Sequence, residues 1–560
     1  MKSKGRIEAL RVLRDLRGRF PLLGATLLAA CGTLATAPVT PERGFDVLIT
    51  NARVIDGTGN PWYRGEVGVS GDRITYVGPS LRSRSAKRVI DAHEMVVSPG
   101  FIDMLGHSEL TILRTPHAES KITQGITSEI TGEVSSAWPY SRPGKLEVDP
   151  DKPWKSLGQY FDYIEKKGIA INLGTYVGAE SIREALLGDA SRNPTPAELA
   201  QMEVLVDSAM KDGAVGLGTG LEYPPSSFFT TEELVALTKI AATYGGGYAS
   251  HIRNENTLLL DAIREAIRIG TASGTWVEIR HLKSRSFPQM QQAVALIDSA
   301  RRAGIDVTAD QYPYLASQTG LDYILPTWVQ QGGDDSTFAR LRDPSVRARI
   351  KAEMRDSTRK LRSLSDAMVD RVYTDSLRVY QGVRLVDIGK MRNEDPLDAA
   401  FDIILADKAR TDAVYFSFDP EALKLVMQQP WTMVGQDAGA RAPDSIGRGH
   451  PRAYGTFPRI LGEYVRQEGV IPLEFAIRKM TSLPAQRVGL TDRGLLRPGM
   501  FADITVFDPA TVVDRATFEL PQQYATGIKY VMVNGQLVID DGKITAALPG
   551  RALRGPARKR

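Results

Sequence analysis

Six histidines occur in 560 residues, so each is worth testing for a job. His251 in YASHIRNEN and His281 in VEIRHLKS each follow an apolar, strand-like run. Imidazoles facing inward from neighbouring strands, ~4.8 Å apart, can reach one ion. Two hydrogen-bonded structural histidines would give the same pattern. Glu133, closing ITSEITGE, adds a hard oxygen. One carboxylate and two imidazoles suit Zn²⁺ with a coordination position left open; alone, the glutamate reads as a solvated rim residue. Asp437 in TMVGQDAGA can serve as a general base beside metal-activated water, or merely cap a turn. Arg253 and Lys283 each stand two residues beyond a candidate histidine. Side chains alternate along a strand, so each cation would point the same way as its histidine. Together they could hold a substrate carboxylate, or they could snorkel at the surface.

These residues need elements to present them. Eight strand-like segments alternate with helix-like ones: Val96–Asp103, Ile126–Glu133, Ala170–Gly178, Ala214–Leu221, Gly247–Arg253, Trp276–Lys283, Asp306–Tyr314 and Met433–Gly439. Eight parallel β/α units predict an α/β fold, a (β/α)₈ TIM-like barrel whose chemistry sits at the C-terminal strand ends. Asp103, His107, Glu133, His251, His281, Asp310, Tyr314 and Asp437 all fall there. The barrel would occupy residues 96–490, with an insertion at about 315–430 that is too long for a crossover helix. Short β-rich pieces at 45–95 and 491–545 are each too small to close a core. They predict a small β-sandwich built from both chain ends, followed by a basic tail at 546–560.

Charge is uneven. Residues 1–19 carry seven Lys/Arg against two Asp/Glu, and residues 551–560 carry five Lys/Arg. The body between them is net acidic, which argues against nucleic acid as a partner. The tail reads as solvated. PLLGATLLAAC follows the basic N-terminal segment and ends in the chain's only cysteine, Cys31. Residues 1–31 therefore predict an export signal whose Leu-Ala-Ala-Cys resembles a bacterial lipobox, or an ordinary cleaved signal. The protein is expected in the bacterial cell envelope or periplasm, touching membrane only through a lipid on Cys31.

The pieces PGFIDM, QGITSEITGE, GAVGLGTGLEYPPSSFFTTEEL, YASHIRNEN, EIRHLKS, DQYPY, WTMVGQDAG, HPRAYGTFPRIL and KMTSLPAQRVGLTDRGLLRPGMFADITVFDP occur in one order. That ordered set resembles the N-acyl-D-amino-acid deacylases (D-aminoacylases) of the amidohydrolase superfamily, from about Phe45 to Ile544. The resemblance implies His251 and His281 as metal ligands and Asp437 as the catalytic aspartate. It also implies Lys283, Tyr223 and Tyr314 as substrate contacts. Where many members read Gly-Asn-Cys, this chain reads Gly-Glu-Val, so Glu133 is taken as the replacement for the metal-bridging Cys. The family's His-x-His is reduced to Leu105 and His107. The expectation is loss of a second metal position and survival of one Zn²⁺ on Glu133, His251 and His281, with His107 left to hydrogen-bond the nucleophilic water or the carbonyl. The implied activity is metal-dependent hydrolysis of N-acyl-D-amino acids. A cyclic-amide or isoaspartyl-dipeptide hydrolase, or a catalytically inactive lipid-anchored binding relative, would share the scaffold.

Overall fold

A computed structural model of the chain describes residues 44–81, 85–139, 153–355, 364, 366–444 and 448–559. The expected signal, with Cys31, lies outside them. No helix among the described residues is long and apolar enough to cross a membrane.

Eight parallel staves follow one another in chain order. They are Phe101–Asp103, Ile126–Thr131, Asn172–Thr175 (resuming after Tyr176 as Val177–Gly178), Gly216–Gly220, Gly247–His251, Val277–Ile279, Val307–Gln311 and Thr432–Val434. Their ladders form two arcs rather than one closed ring: staves one to three, and the second half of stave three through to eight. Single backbone bonds cross both gaps. Val215 N–H reaches Thr175 O at 2.9 Å, and Met104 N–H and Asp437 N–H reach Val434 O and Leu105 O at 3.1 and 2.7 Å.

Flanking helices start where the sequence supplies caps. Thr195 with Glu198, and Thr230 with Glu233, form reciprocal capping boxes that satisfy orphan N–H groups. The apolar faces behind them bury Met202, Val206, Leu234 and Leu237 in the main core.

One boundary differs from expectation. The first expected strand is two pieces: Val96–Pro99 pairs with Ile504–Phe507, and only Phe101–Asp103 joins the barrel. Gly100 is the joint, because a Cβ there would stand 2.2 Å from Thr127 Oγ1. The β-rich pieces expected at 45–95 and 491–545 join in one nine-stranded hydrogen-bonded sheet that extends to Val96–Pro99.

The insertion builds a three-stranded antiparallel sheet, with Asp412–Phe416 between Ala316–Gly320 and Ala367–Val369. It has a core of its own around Leu341, Ile350, Phe401 and Ile404. The solvated tail is also corrected. Gly550 N–H donates to Ile169 O, three residues before stave three, at 2.7 Å, and Leu553 N–H to Leu173 O on the stave at 2.8 Å. Leu553 is 5% exposed and packs with Ile102, Ile130, Val215, Ala249 and Met433, the side chains that fill the barrel.

Candidate active site

The strands stop before the residues of interest, and loops carry them. Stave two ends at Thr131, and Gly132 turns with φ +90° to present Glu133. Stave six ends at Ile279, and His281 takes φ +33°. Stave eight ends at Val434, and Asp437 takes φ +54°. Left-handed backbone at His and Asp costs energy and persists only when surrounding contacts impose it. Those contacts are visible. Asp310 Oδ1 accepts the His281 N–H at 2.8 Å. The fully buried Asp103 accepts from Leu105 N and Gln436 N at 3.1 and 2.8 Å, and from Lys121 Nζ at 2.8 Å. Lys121 Nζ also donates to Ala438 O at 2.7 Å. One aspartate thereby pins the loop of His107 to the loop of Asp437.

Above this floor opens a cavity of about 400 Å³, lined among others by His107, Glu133, His251, His281 and Asp437. Glu133 is its centre. Its Oε1 lies 3.1 Å from His281 Nε2 and 3.8 Å from His251 Nδ1, and its Oε2 lies 3.4 Å from His107 Nε2. Oε1 is buried and makes no hydrogen bond among the described residues, an arrangement that costs ~1–3 kcal/mol if nothing satisfies it. One carboxylate oxygen and two imidazole nitrogens within 4.8 Å of one another fit a cation and the donor set of zinc. A second trio, His107, Glu133 and Asp437, also lies within 4.8 Å and shares Glu133. The loss of the histidine at Leu105, which is fully buried, therefore leaves three potential donors at the second position. Asp437 Oδ2, however, is already met by Arg452 Nη1 at 2.7 Å.

Asp437 Oδ1 accepts from His107 Nε2 at 3.1 Å. Burial pushes the Asp437 carboxyl up, but the Arg452 guanidinium and the His107 bond outweigh it and hold its pKa at about 2. Burial also opposes charge on His107, yet the Asp437 and Glu133 carboxylates raise that imidazole well above its usual range. Tyr223 lines the cavity, its ring 4.9 Å from that of His251. Lys283 lines it too, with Nζ donating to Glu255 Oε1 at 2.6 Å.

Two expected substrate contacts are elsewhere. Arg253 does not share the cavity: its guanidinium holds Glu265 at 2.9 Å and the carbonyls of Ser227 and Phe229 at 2.9 Å. The strand ends at His251, so the alternation that would have aimed Arg253 inward no longer applies. Tyr314 points away as well, its hydroxyl donating to Asp514 Oδ2 at 2.8 Å. The tyrosine of this segment that reaches the cavity is Tyr312, two residues earlier, whose buried hydroxyl makes no hydrogen bond among the described residues.

Sequence reasoning missed four further groups. Arg452 and Arg441 are cations of the cavity wall. Glu255 lies 2.9 Å from His281 Nδ1, and Glu222 lies 3.2 Å from His251 Nε2. The motif HPRAYGTFPRIL carried the signal for Arg452: a cation inside an otherwise apolar helix start. Nothing local marked Glu222.

Comparison with known proteins places this geometry. Residues 88–539 match the amidohydrolase family described as Amidohydro_3. A D-aminoacylase of Alcaligenes xylosoxydans xylosoxydans is 33% identical over 91% of this chain and 98% of its own. The crystal structure of an N-acyl-D-glutamate deacylase from Bordetella bronchiseptica, complexed with zinc and a phosphonate mimic of the tetrahedral intermediate, superimposes with a TM-score of 0.78. It is 32% identical and covers 91% of this chain and all of its own. A D-aminoacylase structure described by one-metal activation and second-metal attenuation of its binuclear centre is 34% identical. Its TM-score is 0.77, with 91% of this chain and 100% of that one covered. The chain is a hydrolase of the amidohydrolase family and belongs to its D-aminoacylase branch.

Proposed function

We propose that the protein hydrolyses the amide bond of N-acyl-D-amino acids, releasing a carboxylic acid and a D-amino acid. The observation that carries this reading is Glu133 Oε1, buried without a hydrogen bond among the described residues and faced by His251 Nδ1 and His281 Nε2, with Asp437 beside them. Glu133, His251 and His281 would hold one Zn²⁺, which when bound activates water and polarises the scissile carbonyl. A single ion is favoured because Leu105 offers no donor and Arg452 already compensates Asp437.

Asp437, kept ionised by Arg452, accepts the proton of the attacking water and delivers it to the leaving amine. His107 fixes the Asp437 carboxylate through its 3.1 Å bond. Lys283 and Arg452 replace the expected pair of Lys283 and Arg253 as the cations facing a substrate carboxylate. Tyr223 and Tyr312 border the acyl group. The D hand follows from the relatives, named D-aminoacylase and N-acyl-D-glutamate deacylase. The basic and then apolar residues 1–31, ending at Cys31, are the support for a further reading, export with a lipid on Cys31.

The test is turnover of a matched panel of N-acyl-D- and N-acyl-L-amino acids alongside metal analysis of the purified protein. Hydrolysis confined to D substrates, with about one zinc per chain, is expected. Full activity after exhaustive chelation would sink the reading.

A further inference from the structure

Both candidate metal histidines carry a carboxylate on the ring nitrogen that faces away from Glu133. For His281 that group is Glu255, 2.9 Å from Nδ1, with Lys283 Nζ lying 2.6 Å from both the ring nitrogen and the carboxylate. For His251 it is Glu222, 3.2 Å from Nε2. No side-chain cation pairs with Glu222: its ion partner among the described residues is this imidazole. The two side chains are 10% and 5% exposed, so water competes poorly for the bond. The loop is built to hold it. Leu221 N–H donates to His251 O at 3.0 Å, Tyr223 N–H closes a turn on Gly220 O at 3.1 Å, and the Tyr223 ring packs on the His251 ring.

We propose that Glu222 is the positioning residue of His251. Its carboxylate accepts the Nε2 proton, fixes the tautomer with a lone pair on Nδ1, and turns that lone pair toward Glu133. A carboxylate behind a ligating histidine orients the ring and raises its donor strength, and removing such a partner costs 10–100-fold in metal affinity. The role belongs to this chain's own residue between Leu221 and Tyr223, and it rests on the metal trio proposed above.

The experiment measures zinc affinity and stoichiometry by competition with a chromophoric chelator, for the native chain and for Glu222→Ala, Glu222→Gln and Glu133→Gln. Melting of each metal-free form monitors folding. The expected result is a 10–100-fold weaker site in Glu222→Ala at unchanged stoichiometry and unchanged metal-free melting. Glu222→Gln should fall between, because its amide oxygen still accepts the Nε2 proton without the charge. Native-like affinity in Glu222→Ala overturns the proposal, as does loss of a separate equivalent of zinc, which would make Glu222 a ligand. If Glu133→Gln binds zinc as the native chain does, the metal trio itself fails, independently of Glu222.

Discussion

At the scale of single residues, Asp437 has two partners, and both lower its affinity for a proton. Arg452 on Oδ2 makes it a poor proton acceptor at rest, and His107 on Oδ1 holds it in place. Asn at this position keeps the shape and one carbonyl oxygen, so His107 can still donate to it, but it cannot take a proton. General acid–base groups contribute roughly 10²–10⁴-fold to rate. Asp437→Asn should therefore lower kcat by about that factor while zinc content stays at the native level, because the Glu133, His251 and His281 trio does not include it. Steady-state kinetics with metal analysis on one preparation checks both halves. Loss of zinc together with activity would make Asp437 part of the metal site instead. The same residues show how far sequence reaches. Glu133, His107, His251, His281 and Asp437 meet in one cavity as their types and positions at strand ends foretold. Glu222 and Glu255 could not be read, because which carboxylate lies behind an imidazole depends on loop paths and not on spacing.

At the scale of elements, the errors have one cause. Alternation predicts facing only while a strand continues, and staves five and seven end at His251 and Gln311. Beyond those points the chain turns, so Arg253 swings to the loop after stave four and Tyr314 passes the cavity to Tyr312. Arg253 thus ties two loops through Glu265, Ser227 O and Phe229 O. Arg253→Met should lower stability by about 1–3 kcal/mol, the cost of leaving such acceptors unpaired, with KM changed little. A KM rise of tenfold or more at native stability would return it to the substrate. Lys121 does the corresponding work between the first and last staves. It is fully buried, bonded to Asp103 and Ala438 O, and 3.3 Å from Glu129. Removing one member of a buried ion pair costs about 3–5 kcal/mol. Lys121→Met should therefore destabilise the fold in denaturant titrations by that order and lower kcat, since both the His107 and Asp437 loops lose their common pin. A stability within 1 kcal/mol of native would mean the pin lies elsewhere.

At the scale of the whole molecule, the barrel is two ladders joined at their gaps by isolated bonds, and its lower end is closed by the chain's own C-terminus. The composition of that tail, five cations in ten residues, hides this role. Its structural signal is the pair of small and apolar residues between the charges. Gly550 fits where a Cβ would come within 2.0 Å of Ile171 O, and Leu553 enters the barrel core. The cations then fasten the outside, with Arg551 on Asp72 and Arg554 on Asp162 at 2.8 and 2.7 Å. Two consequences separate plugging from mere charge. Leu553→Ala should cost about 2–5 kcal/mol, as for other buried leucines left with a cavity, whereas Arg551→Gln and Arg554→Gln, exposed pairs on Asp72 and Asp162, should each cost about 0–1 kcal/mol and less at high salt. Deletion from Pro549 onward should exceed either, because stave three then loses its backbone partners as well as Leu553. Thermal unfolding of the four variants at low and high salt orders them. If the two Arg changes outweigh Leu553→Ala, the tail acts by charge at the surface and the barrel floor closes without it.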